Sequence, residues 1–212
     1  MVKRVWFWAV AGLALAAVMA VLNARMFTNS LKRLFLANLE LNVGFWAILV
    51  TLAAVASGTA GRAVLNCLTM TLVMCVTYYP LVVVMEELAN ALGHTVYRTP
   101  LIMLLQGNWY WFVAALLCAG IGWLIAMRQT NPAFSIVARI LPLIAVAFQF
   151  WQTSQTFNDT VEQLTRGETD SISFVPPDWF DYTNRALTLA ILLAFTAWWL
   201  RRWHLERTAQ PM

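Results

Sequence analysis

Glu86 and Glu87 stand side by side at the end of a long apolar run, with His94 about two helical turns on and Arg98 beyond it. On one continuous helix, the two carboxylates and the imidazole would share a face. Such a group suits a cation or an amine, or a gate that a ligand passes. The same residues also make an ordinary solvated helix end. Just upstream, Tyr78-Tyr79-Pro80 adds two phenols, and the proline leaves one backbone carbonyl without its helical partner. Asn108, Trp109 and Tyr110 open a later run, while Gln149, Trp151, Gln152 and Gln155 close another at similar depth. Aromatic walls with a few amides and two carboxylates suit a small organic ligand. They equally describe an aromatic belt at a membrane interface. The candidate ligand contacts are Tyr78, Tyr79, Glu86, Glu87, Trp109 and Gln152.

Other chemistry has little to stand on. HExxH, GxSxG, Cys-x-x-Cys and the phosphate-cradling glycine loop are all absent. Cys67, Cys75 and Cys118 lie inside apolar runs, at spacings that fit neither a zinc site nor a disulfide framework, and read as small buried hydrophobes. A haem held by paired histidines would need His94 and His204, which fall on opposite faces of the membrane in the topology below. No catalytic residue, metal or cofactor is assigned.

The elements that position these residues are apolar. Of the 212 residues, 61% are hydrophobic and 11% charged, where a soluble domain carries about 25% charged residues. Ala63 to Met85 holds no Asp, Glu, Lys or Arg and spans roughly 30 Å as a helix, the thickness of one hydrocarbon core. A soluble helix keeps one face wet, and this stretch has none. The expected fold is an all-α bundle of six transmembrane helices forming one integral membrane domain over residues 1–212. The spans are placed near Val5–Leu22, Val43–Ala56, Ala63–Met85, Trp109–Met127, Ala133–Trp151 and Thr183–Trp203. The first is longer than the apolar core of a signal peptide and is read as retained. Ser30 caps a short stretch to Glu40 that reads either as a surface helix or as an extension of the second span. Gly93 is expected to close the third helix. The fifth keeps its period to Gly167, and Pro142 is positioned to bend it. The acidic loop from Glu168 to Tyr182, stiffened by Pro176-Pro177, reads as a lid or as a plain surface loop.

Orientation follows from the joints. With the N-terminus inside, the cytoplasmic side carries Lys3, Arg4, Arg62, Arg128, Arg139, Arg201, Arg202 and Arg207 against one acid, Glu206. Short basic turns on that side obey the positive-inside rule, so both termini are placed in the cytoplasm. The net charge of +4 therefore orients helices and is not a nucleic-acid signal. Gly12, Ala16 and Ala20 leave one face of the first span nearly bare, which allows close backbone approach by another span of this chain or by a partner membrane protein.

Six spans in about 200 residues, an elaborate first outer loop and this small-residue face resemble the substrate-binding S-components of energy-coupling-factor vitamin transporters. That resemblance, one of architecture, implies that Ala16 and Ala20 dock a coupling subunit and that outer loops close over a vitamin or metal. Phe45 to Tyr79, with Trp46, Gly58 and Arg62, also resembles small six-span bacterial membrane proteins, which implies no activity. The first expectation is a small-solute binding or translocation subunit in a bacterial cytoplasmic membrane, with an outward-facing site between spans three, four and five. The second is a non-catalytic partner of another membrane protein. The third is an intramembrane enzyme.

Overall fold

A computed structural model of the chain describes residues 2–23, 43–93, 101–102, 109–129, 132–165 and 179–208. The stretch from Ser30 to Glu40, His94, Arg98 and the loop before Trp179 lie outside the described residues. Among the described residues the chain forms six α-helices and one 3-10 turn, with no strand. They are α1 (Val2–Asn23), α2 (Val43–Ser57), α3 (Ala60–Ala91), α4 (Tyr110–Ala126), α5 (Pro132–Thr165) and α6 (Trp179–Thr208). Each expected apolar run coincides with one helix.

The ends follow local chemistry. Gly58 takes φ +73° between α2 and α3, a left-handed turn that a β-carbon would strain. Thr59, extended at φ −138°, caps α3 by accepting from the Arg62 amide at 3.4 Å. That cap starts α3 three residues earlier than the apolar run suggests. Gly93, at φ +87°, closes it as expected. The fourth helix stops short, at Ala126, because Met127–Gln129 tighten into the 3-10 turn. α5 continues to Thr165 and α6 to Thr208, beyond their apolar cores.

Paired residues fix the directions of the helices. Gly12 of α1 meets Met70 of α3, and Ala16 and Met19 pack on Met74, so those two run parallel. Along α3, Asn66 meets Ser57 at the end of α2 and Met74 meets Trp46 near its start, while Cys67 meets Gly122 and Cys75 the Trp111 carbonyl of α4; both helices therefore run against α3. Gly44 donates to Gln149 Oε1 at 3.4 Å, tying the start of α2 to α5. The Trp199 indole donates to the Arg139 carbonyl at 2.8 Å, tying α6 back along α5. That carbonyl sits one residue past the one that Pro142 deprives of its helical donor.

Two close approaches depend on glycine. A β-carbon on Gly12 would strike the Met70 carbonyl, and one on Gly122 would lie 2.5 Å from the Cys67 sulfur. The bare face of α1 is thus taken up inside the chain: Gly12, Ala16 and Ala20 are buried, with Gly12 and Ala16 against α3. The main core gathers Val50, Ala54, Cys67, Ile125, Phe195 and Trp199 from α2, α3, α4 and α6.

The outer surface is greasy. Phe7, Leu117, Ile136 and Leu193 are each more than 60% exposed. Ala60–Ala91 and Phe134–Gln152 are long and apolar enough to cross a membrane, yet only 33% and 28% of their apolar windows are buried by the rest of the chain. A core helix of a soluble protein would be mostly covered. These helices and this surface suggest membrane association.

Candidate functional site

Thr71 and Thr77 show how a hydroxyl is normally settled in an apolar helix. Thr71 bonds back to the Cys67 carbonyl at 2.8 Å, and Thr77 to that of Val73 at 2.6 Å. Thr196 does the same to Leu192. Thr51 of α2 does not. Its side chain is fully buried, and Oγ1 has no hydrogen-bond partner.

Thr51 lines a cavity of about 630 Å³ between α2, α4 and α5. The floor is buried and apolar, from Val50, Ala115 and Ile125. Trp46 and Trp111 stack at one end, ring centroids 6.3 Å apart and planes 21° apart. Val43, Leu117, Ile144 and Phe148 are lining residues that are themselves exposed, so they mark the mouth. Those of α4 and α5 put it on the side of the bundle rather than at its end. The space exists because the helices present Ala47, Ala114 and Ala145 where larger side chains would fill it. Its size and apolar walls, with one fixed polar group, are those of a small-molecule site.

The residues singled out from sequence lie elsewhere. Tyr78 and Tyr79 touch edge to face at 5.1 Å, Tyr79 buried and Tyr78 half-buried. With Met19, Trp46, Met74 and Trp111 they line a space of about 20 Å³, room for one water. Its lining takes in neither Glu86, Glu87, Trp109 nor Gln152. Glu86 is half-buried and Glu87 exposed, two turns further along α3. Trp109 is 63% exposed and Gln152 is exposed. Gln149 serves the α2–α5 junction through Gly44. All stand toward the Trp111 end of the bundle, but the two tyrosines alone share a cavity. Among the described residues no cluster of His, Cys, Asp and Glu could hold a metal.

Sequence reasoning missed Thr51 and the alanines around it. A hydroxyl in an apolar run is ordinary, and a void leaves no mark in composition. The available signal was the small residues facing one another on α2, α4 and α5. Comparison with protein-family models, curated proteins and solved structures found no match for this chain.

Proposed function

We propose that the chain is a six-span membrane protein, both termini cytoplasmic, whose role is to bind a lipid-soluble small molecule in the cavity between α2, α4 and α5. The observation that carries this reading is the pairing of a 630 Å³ apolar space with one buried, unpartnered hydroxyl on its wall. No water reaches such a hydroxyl in hydrocarbon, and because neighbouring side chains cover Oγ1, a ligand acceptor pairs with it only once those side chains shift aside. Six crossings are supported by the alternation of helix direction and by the exposed apolar surface. A bacterial cytoplasmic membrane is supported by the short basic turns at one end.

This reading keeps the first expectation, a small-solute binding or translocation subunit, on its binding side, and moves its site. The mouth lies between exposed apolar side chains of α4 and α5, so the ligand enters from the bilayer rather than from water. The Tyr78-to-Glu87 region is less favoured, since its tyrosines reach a space too small for an organic solute.

Native mass spectrometry of protein extracted with its surrounding bilayer tests the proposal. Wild type is expected to carry one apolar molecule per chain, enriched over bulk lipid. The double variant Ala114→Phe, Ala145→Phe fills the cavity and is expected to lose it while remaining folded. Bulk lipid alone, in the same ratio for both proteins, overturns the reading.

A further inference from the structure

At the end of the bundle away from Trp111, three arginines surround one carboxylate. Arg128 follows α4, Arg139 lies in the second turn of α5, and Arg202 and Glu206 sit near the end of α6. Arg128 donates from Nη2 to Glu206 Oε1 at 2.7 Å and from Nε to both oxygens at 3.2 and 3.3 Å, while Nη1 binds the Ile125 carbonyl at 2.8 Å. Arg202 Nε adds a contact at 3.1 Å. Oε1 thus takes close contacts from both arginines, while Oε2 takes only the shared Arg128 Nε.

Arg139 shares that carboxylate only at longer range. Its side chain is 8% exposed, its Nη2 stands 3.9 Å from Glu206, beyond hydrogen-bond range, and its Nε has no partner. Its guanidinium lies 5.9 Å over the ring of Trp203, whose buried indole N–H is also unpartnered. Among the described residues Glu206 is the one carboxylate paired with this cluster. Three guanidinium charges against one carboxylate, with two orphaned donors on touching side chains, lack an anion with several acceptor oxygens. A buried guanidinium whose one carboxylate is shared with two others, and stands beyond hydrogen-bond range, is poorly compensated.

We infer that Arg139 and Trp203 hold a phosphate-class oxyanion between α5 and α6, at a site separate from the cavity. Arg139 supplies charge and a planar donor edge, the geometry suited to phosphate oxygens. The Trp203 indole supplies a fixed donor at its side. Arg207, 5.2 Å from the centroid of the same ring, adds a further positive charge beside it. The phosphate belongs either to a lipid headgroup or to a free anion. The cavity lines the opposite helical face of α5, through Leu141, Ile144 and Phe148, so neither site requires the other.

The test uses the full chain in phosphatidylcholine nanodiscs, read by thermal unfolding, with phosphatidylglycerol or inorganic phosphate as the added probe. A saturable rise in melting temperature is expected for wild type and for Arg201→Gln, an exposed arginine on the same helix. Arg139→Gln is expected to weaken the apparent affinity roughly tenfold, the worth of a charge-assisted hydrogen bond. Response to lipid alone identifies a headgroup, and response to inorganic phosphate identifies a free anion; both support the site. Trp203→Phe keeps the ring and removes the donor, and is expected to weaken binding severalfold even where Arg139→Gln does not fold. No saturable response to either probe, or equal affinity in wild type and both variants, overturns the inference.

Discussion

Replacing Glu206 by Gln removes the one carboxylate that neutralises Arg128, Arg139 and Arg202 and leaves the shape of the side chain nearly intact. The magnitude is set mainly by Arg128, which is 5% exposed and spends three donor contacts on Glu206. Removing one partner of a buried pair costs about 3–5 kcal/mol. Arg202, 37% exposed, adds at most a few tenths of a kcal/mol. For a chain of this size the sum lowers the melting temperature by roughly 10 °C. The pH dependence follows from the same contacts. Glu206 lies past Trp203, where the apolar run of α6 ends. Burial pushes its carboxyl pKa up, but the hydrogen bond and charge of Arg128, with the charges of Arg202 and Arg139, pull it below the ordinary value. Its contribution is therefore complete above the unfolded carboxylate range, about pH 4.3, and is lost as pH falls toward the lowered value. Thermal unfolding of purified wild type and Glu206→Gln between about pH 2 and 8 should show a wide gap that holds down to about pH 4.3 and narrows below it. A gap below about 1 kcal/mol at pH 7, or one that does not narrow, would refute the burial argument.

Gly122→Ala should destabilise by about 1–3 kcal/mol, because its new β-carbon meets the Cys67 sulfur, and adding Cys67→Ala should recover part of that loss. Gly12→Ala should cost at least as much with no such rescue, since the obstacle is the Met70 backbone carbonyl; unfolding of the single and double variants compares the two sites. Ser57→Ala strips the buried Asn66 amide of its acceptor at 2.8 Å and should cost about 1–3 kcal/mol, with Ser57→Ala, Asn66→Leu costing less than the single change.

The helices were legible because charge-free runs broken by polar joints leave few alternatives. Their bounds were less so. α6 continues past Trp203 through Arg, His and Glu residues, which are good helix formers but carry no apolar signal. The bare face of α1 was legible as a place of close approach. Its occupant was not, because an α3 backbone and a foreign helix ask the same of Gly12, Ala16 and Ala20. Arg139 was read only as a charge that orients a span. Its position in the second turn of α5, facing Trp199 and Trp203, becomes visible once α6 is laid against it. The cavity was illegible for a further reason: it is made by the side chains that Ala47, Ala114 and Ala145 lack.

Thr51 offers the sharpest separation between a fold that merely tolerates a void and one that keeps it for a ligand. A buried hydroxyl without a partner costs roughly 1–3 kcal/mol. Thr51→Val exchanges that hydroxyl for a methyl of the same shape on an apolar wall. In protein stripped of apolar ligand, the variant should be the more stable, by about 1 kcal/mol or a rise of roughly 2–4 °C in melting temperature. With ligand present the order should narrow or reverse, since wild type alone gains the hydrogen bond. Stability is then being given up at a position where binding is gained, the usual mark of a functional site. A loss of stability for Thr51→Val in the stripped protein would mean that the hydroxyl is satisfied within the chain, and the polar half of the site would be gone.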